Sequence, residues 1–134
     1  MKALLAASAA IVLAGCAPST VLELKDEATP VEFTTEKPYQ RVFKDLKGEL
    51  DRCIFGGFLM ASARVDAQLY PDLGEGEIAV RYNNMGDKSV FLLVEVLDQS
   101  QSTLVTAYPS TFGLWDQSGE QVRQFLLNDV PFCD

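Results

Sequence analysis

Residues 59–82 read LMASARVDAQLYPDLGEGEIAVRY, and their alternation decides the fold class. Leu59, Ala61, Ala63, Val65, Ala67 and Leu69 fall on one side of an extended chain. Ser62, Arg64, Asp66 and Gln68 fall on the other, which predicts a long strand with one wet face. Tyr70-Pro71-Asp72 stops this strand. After Leu73-Gly74-Glu75-Gly76, the residues Ile78, Val80 and Tyr82 alternate with Glu77, Ala79 and Arg81 in a second strand.

The pattern continues outward in both directions. Downstream, the turn Asn83-Asn84-Met85-Gly86-Asp87 leads into Val90 to Leu97, nearly all apolar around Glu95, which reads as a central strand buried on both faces. A polar turn from Asp98 to Ser102 separates it from a fourth strand, Leu104 to Tyr108. Four sequential strands joined by turns predict an antiparallel meander. Upstream, Pro38 suits a first helical position, and Tyr39, Val42, Phe43, Leu46, Leu50, Cys53 and Ile54 then recur with helical spacing. Lys44, Lys47, Glu49 and Asp51 take the opposite side, and Gly56-Gly57 closes the helix. Beyond Pro109 the chain reads as a loop to about Ser118, then Gly119 to Asn128 sets Val122, Phe125 and Leu126 on one face of a short helix. Trp115 is expected to pack at its entry as a core aromatic. The resulting expectation is an α+β fold: a two-layer domain over residues 38–134, with an N-terminal helix, a four-stranded antiparallel meander and a short C-terminal helix.

Composition narrows the chemistry. The chain has 134 residues, 48% apolar and 22% charged, which suits one small globular domain and excludes a multidomain enzyme. There are 11 Lys plus Arg, 19 Asp plus Glu and no His, a net charge of -8 that argues against a phosphate-backbone partner, so no nucleic acid is expected. Without histidine, Ser-His-Asp and Cys-His catalysis and His-zinc sites are excluded. No phosphate loop, Gly-x-Ser-x-Gly elbow or dinucleotide fingerprint occurs, so no enzyme activity and no cofactor are expected.

Met1-Lys2 supplies a positive start, Ala3 to Ala14 is an unbroken run of Ala, Leu, Ile, Val and Ser, and Leu13-Ala14-Gly15-Cys16 follows. Twelve residues at about 1.5 Å each fall short of a hydrocarbon core of about 30 Å, so the run reads as a secretion signal and not a spanning helix. Leu13-Ala14-Gly15-Cys16 resembles the lipobox of bacterial lipoproteins. That resemblance covers residues 1–16 and implies cleavage after residue 15 and lipidation of Cys16, with the membrane as partner through the anchor. Ala17-Pro18 lacks the aspartate associated with inner-membrane retention, which implies the periplasmic side of the outer membrane. Loss of Lys2 leaves 10 basic against 19 acidic side chains, a net charge of -9. Residues 16–37, with Pro18, Pro30 and Pro38 around them and few large apolar side chains, read as a lipidated Cys and flexible tether reaching up to roughly 70 Å. Within it, Val31 and Phe33 alternate with Glu32 and Thr34 as a short edge strand.

In an oxidising periplasm the two remaining cysteines, Cys53 and Cys133, are expected to form a disulfide. It would close a loop of about 80 residues and contribute roughly 4 kcal/mol in the chain-entropy model. A redox role would want a Cys-x-x-Cys pair, which is absent. Asp72, Glu75 and Glu77 place carboxylates around one Gly-rich loop, where calcium ligation and a solvated turn compete, and the turn is favoured; no metal site is expected. Glu95 reads as an acid paired with Arg64 or Arg81, against the alternative of a buried acid or base. The element order is similar to helix-grip domains of small Gram-negative outer-membrane lipoproteins. It implies a non-catalytic interaction module for an envelope protein partner. The alternatives are a small-molecule or lipid binder and an inhibitor of a basic envelope-targeting enzyme such as a lysozyme.

Overall fold

A computed structural model describes residues 17–55, 62–84 and 87–134. The signal, Cys16, the Gly56-Gly57 helix stop, the first residues of the long strand and Met85-Gly86 lie outside the described residues. The fold is α+β, with one antiparallel sheet and helices on both of its faces. In chain order the elements are α1 (Val21–Glu27), β1 (Val31–Thr35), α2 (Tyr39–Phe55), β2 (Ser62–Tyr70), β3 (Glu75–Asn84), β4 (Asp87–Asp98), β5 (Thr103–Pro109) and α3 (Ser118–Asn128).

β2 to β5 form the meander that the alternation predicts, but the sheet has five strands, ordered β1-β5-β4-β3-β2. The four-stranded expectation is corrected by β1, which pairs antiparallel with β5 from Val31↔Ala107 to Thr35↔Thr103. At the β2–β3 connection Pro71–Leu73 makes one 3₁₀ turn and Gly74 takes φ 63°, a left-handed conformation that glycine adopts without steric cost. Asp98 donates its N–H to the Gly74 carbonyl at 2.8 Å, tying this turn to the end of β4.

One face of the sheet carries the main core. Val42, Leu46 and Leu50 of α2 recur every four residues and bury fully against Ile78, Val80, Leu92, Val94, Val96, Val105 and Ala107. Val122 and Leu126 of α3 complete the same layer, and Phe33 of β1 joins them. The polar side of α2 is laced by Arg41–Asp45 and Lys47–Asp51 at i,i+4.

The two-layer expectation and the tether over residues 16–37 also need correcting. α1 lies on the opposite face, where Leu24 is fully buried with Ala79, Val90 and Leu93, flanked by Val21, Ala28 and Tyr108. Even Pro18 is docked: its carbonyl accepts from the Val90 N–H at 2.8 Å. Few apolar residues suffice because the outer face of β3 and β4 offers them a ready apolar surface. A fully buried leucine stabilises by about 1.5–3 kcal/mol. Thr20 caps the helix, its side-chain oxygen accepting from the Glu23 N–H. β4 is thereby covered on both faces, as its composition predicts, and a register shift between Val80 and Arg81 accommodates Phe91 as the extra residue.

Candidate interaction surface

Three features stand out where the elements meet solvent. The first is the solvent-side row of β2 and β3. In the β2–β3 register Arg64 lies opposite Arg81 and Asp66 opposite Ala79. Two guanidinium groups facing each other need an anion between them, and Asp66 supplies it, 3.3 Å from Arg64 Nε and 3.0 Å from Arg81 Nε. An open groove runs along this strand, lined by Lys47, Val65, Asp66, Ala67, Gln68, Glu77, Ala79 and Arg81.

Glu95 is half-buried on β4 and lies opposite Glu77 on one side and Thr106 on the other. Its partner is neither Arg64 nor Arg81, which Asp66 occupies, but Lys25 of α1. The Lys25 ammonium also lies 5.4 Å from the centre of the Tyr108 ring. The hydrogen bond to Glu95 raises the Lys25 pKa above the ordinary lysine value, so the ammonium keeps its charge at neutral pH. The sequence reading missed this cation because it lies in the segment taken as a tether.

The second feature is a braced apolar loop. Phe91, the extra residue of the β4 irregularity, stacks on Trp115 with ring centres 5.2 Å apart and planes 10° apart. It also contacts Phe112 at 6.0 Å and Tyr82 at 5.3 Å. Trp115 is a half-buried core aromatic. Ser118 donates to the Trp115 carbonyl at 2.6 Å, and the Phe112 N–H donates to Ser110 Oγ at 3.1 Å, so both ends of the loop are fixed. Gly113, at φ 61°, turns the chain between them. The result presents Phe112 at 53% and Leu114 at 83% exposure on a rigid base.

The third feature is the C-terminal clasp. The Sγ atoms of Cys53 and Cys133 are at bonding distance, 2.07 Å, with Cα atoms 5.8 Å apart. Glu49, on the side of α2 expected to face water, is only 12% exposed because the tail folds over it. Glu49 Oε1 accepts from the Phe132 N–H at 2.8 Å and from Arg52 at 2.7 Å, and Arg52 also donates to the Cys133 carbonyl at 3.2 Å. The guanidinium of Arg52 and the Phe132 amide hold the Glu49 carboxyl below its ordinary pKa.

Asp72, Glu75 and Glu77 are not brought together as a chelating set: Asp72 sits in the 3₁₀ turn while Glu75 and Glu77 run along β3. Among the described residues the one convergent set of potential metal-ligating groups is Glu49 with Cys53 and Cys133, whose sulfurs already hold each other. Among the described residues no fully buried side-chain nitrogen or oxygen lacks a hydrogen-bond partner. Comparison of the chain with protein-family models, with curated proteins and with solved structures finds no match.

Proposed function

We propose that this chain is a non-catalytic outer-membrane lipoprotein, anchored through Cys16, whose periplasmic domain is an interaction module for an envelope protein. The observation that carries the interaction is the braced loop. Leu114 and Phe112 are presented to solvent at a real cost in apolar exposure, and an aromatic stack holds them in place. A braced, exposed aromatic and aliphatic pair rimmed by polar surface is the kind of apolar patch that marks an interaction site. The anchor rests on Leu13-Ala14-Gly15-Cys16 and on the signal before it. No helix among the described residues is long and apolar enough to cross a membrane.

With Pro18 docked on β4, an acyl group on Cys16 would hold the domain close to the headgroups instead of at the end of a long tether. The Cys53–Cys133 pair suits the oxidising periplasm that the signal implies. The lipid-carrier alternative wants a hollow between helix and sheet, and the described side chains of α2 fill that space with Val42, Leu46 and Leu50.

The test is a photo-crosslinking residue at position 114 in cells, compared with the same probe at Gln101. The proposal expects one protein adduct of fixed mass from position 114 only. It also expects Cys16→Ser to release the chain from the membrane fraction and Phe112→Ser to abolish the adduct without unfolding the domain. Adducts to lipid alone, or equal labelling at both positions, would overturn the interaction reading. A Cys16→Ser chain that stays on the membrane would overturn the anchor.

A further inference from the structure

The two edges of the sheet are unlike. β1 is five residues long, bracketed by Pro30 and Pro38, and Gly119 of α3 packs directly on its Val31. β2 is nine residues long, and its pairing with β3 runs from Ser62↔Asn83 to Tyr70↔Glu75 without a register shift. In an antiparallel pair, alternate residues of each strand direct their N–H and C=O groups away from the neighbour, so β2 turns a row of donors and acceptors outward. Proteins blunt such edges with proline, bulges or inward-pointing charges. β2 contains none of these, since its core-facing row is Ala63, Val65, Ala67 and Leu69. Although Val65 and Ala67 face the core, they remain half-buried and line the groove along the strand, so among the described residues apolar surface is left for another element to cover.

We propose that β2 is a self-association edge, pairing antiparallel with β2 of a second copy of this chain so that the two sheets run on as one. The sequence of the strand fits its own reverse. Centred on Val65, the pairing sets Val65 opposite Val65, Ala63 opposite Ala67 and Ser62 opposite Gln68. It also sets Arg64 of one copy opposite Asp66 of the other, twice by symmetry. Each apolar residue meets an apolar one on the core side, and each charge meets its opposite on the solvent side. The neighbouring registers lose this match. Centring on Arg64 opposes two guanidinium groups, centring on Asp66 opposes two carboxylates, and a half-step register puts core-facing residues on the wet side.

Asp66 draws in Arg64 and Arg81 within one chain, and in the joined edges each Asp66 also faces Arg64 of the other copy. The two-fold axis of this pairing is normal to the sheet. It therefore leaves both α1 helices, and both copies of Ala17, on the same side, which one membrane can accommodate. The inference does not depend on acylation or on the loop at Leu114.

The test is sedimentation equilibrium of the purified full chain with its disulfide intact, in detergent, over a wide concentration range. The proposal expects a concentration-dependent dimer. Arg64→Asp alone and Asp66→Arg alone should each weaken dimerisation about tenfold or more, because each sets like charges opposite one another at both positions. Mixing the two variants should restore a dimer, since every facing pair then carries opposite charges. Circular-dichroism melts of both variants should match the wild type, which separates lost pairing from lost folding. A monomer at every concentration, or a dimer indifferent to both substitutions, would overturn the proposal. A monomer that gains mass only with a different envelope protein, and loses it with Arg64→Asp, would overturn self-pairing and give the edge to that protein.

Discussion

Glu49 shows how one side chain changes role once the tail closes over it. Its ionised form is stabilised first by Arg52 and further by the Phe132 amide, so its folded pKa lies below the ordinary carboxylate value. A depressed carboxyl contributes stability that is fully present above the unfolded pKa and is lost as pH falls through the folded one. The stability of the wild-type chain should therefore decline on acidification below about pH 4.5, partly through this group. Glu49→Gln should lower the urea midpoint near neutral pH and leave a smaller gap to the wild type near pH 3, read from unfolding curves at the two values. An equal gap at both would show that the charge of Glu49 does not matter. Gly119 poses a different single-residue question. A Cβ there would meet Val31 Cγ2 at 2.8 Å and Pro109 Cγ at 3.3 Å. Gly119→Ala gains up to about 1 kcal/mol of helix propensity but meets overpacking that costs about 1–3 kcal/mol. A net loss of stability is the expected outcome, measured by thermal melting. A rise in Tm would show that Val31 yields freely.

At the scale of elements, α1 is where local pattern and tertiary structure part company. β2, β3 and α2 are legible in the sequence because each carries a period of 2 or 3.6 that survives packing, and β4 and β5 because they are short apolar runs bounded by polar turns. α1 has seven residues with one fully buried side chain, Leu24, so its period is too short to detect, and Pro18 and Pro30 on either side of it read as parts of a flexible tether. What holds it is the outer apolar face of β3 and β4, a surface visible only once those strands are paired. The same blindness hid the Lys25–Glu95 pair, whose partners are 70 positions apart in sequence. The exposed pair Phe112 and Leu114 was equally illegible, because exposure is a property of the assembled loop and not of residue type. Leu24→Ala removes the one fully buried side chain of α1 and costs the docked helix about 2–5 kcal/mol. Amide exchange across Val21–Glu27 should then approach that of a free chain while β4 stays protected, as read by hydrogen-exchange mass spectrometry. Uniform loss of protection through the sheet would instead make α1 part of the cooperative core.

For the molecule as a whole, the covalent link divides the chain unequally. The Cys53–Cys133 loop encloses β2, β3, β4, β5 and α3, while α1, β1 and most of α2 lie outside it. The loop spans 80 positions, so in the unfolded chain the link removes a large amount of closure entropy. That stabilisation acts on global unfolding, in which the whole loop opens. It has no hold on the detachment of α1, which is kept in place by Leu24 with Val21 and Ala28 beside it, by the Pro18 carbonyl and by Lys25. Replacing both cysteines by serine should therefore lower the free energy of unfolding by about 2–5 kcal/mol in urea. It should also release the contact between Glu49 and the Phe132 amide, since the tail loses its tie to α2. Exchange rates in Val21–Glu27 should stay at their wild-type values under native conditions, because that opening precedes and does not require disruption of the stapled core. If α1 exchange instead rises in step with the loss of global stability, the amino-terminal segment and the stapled meander unfold as one unit, and the division drawn by the disulfide has no energetic meaning.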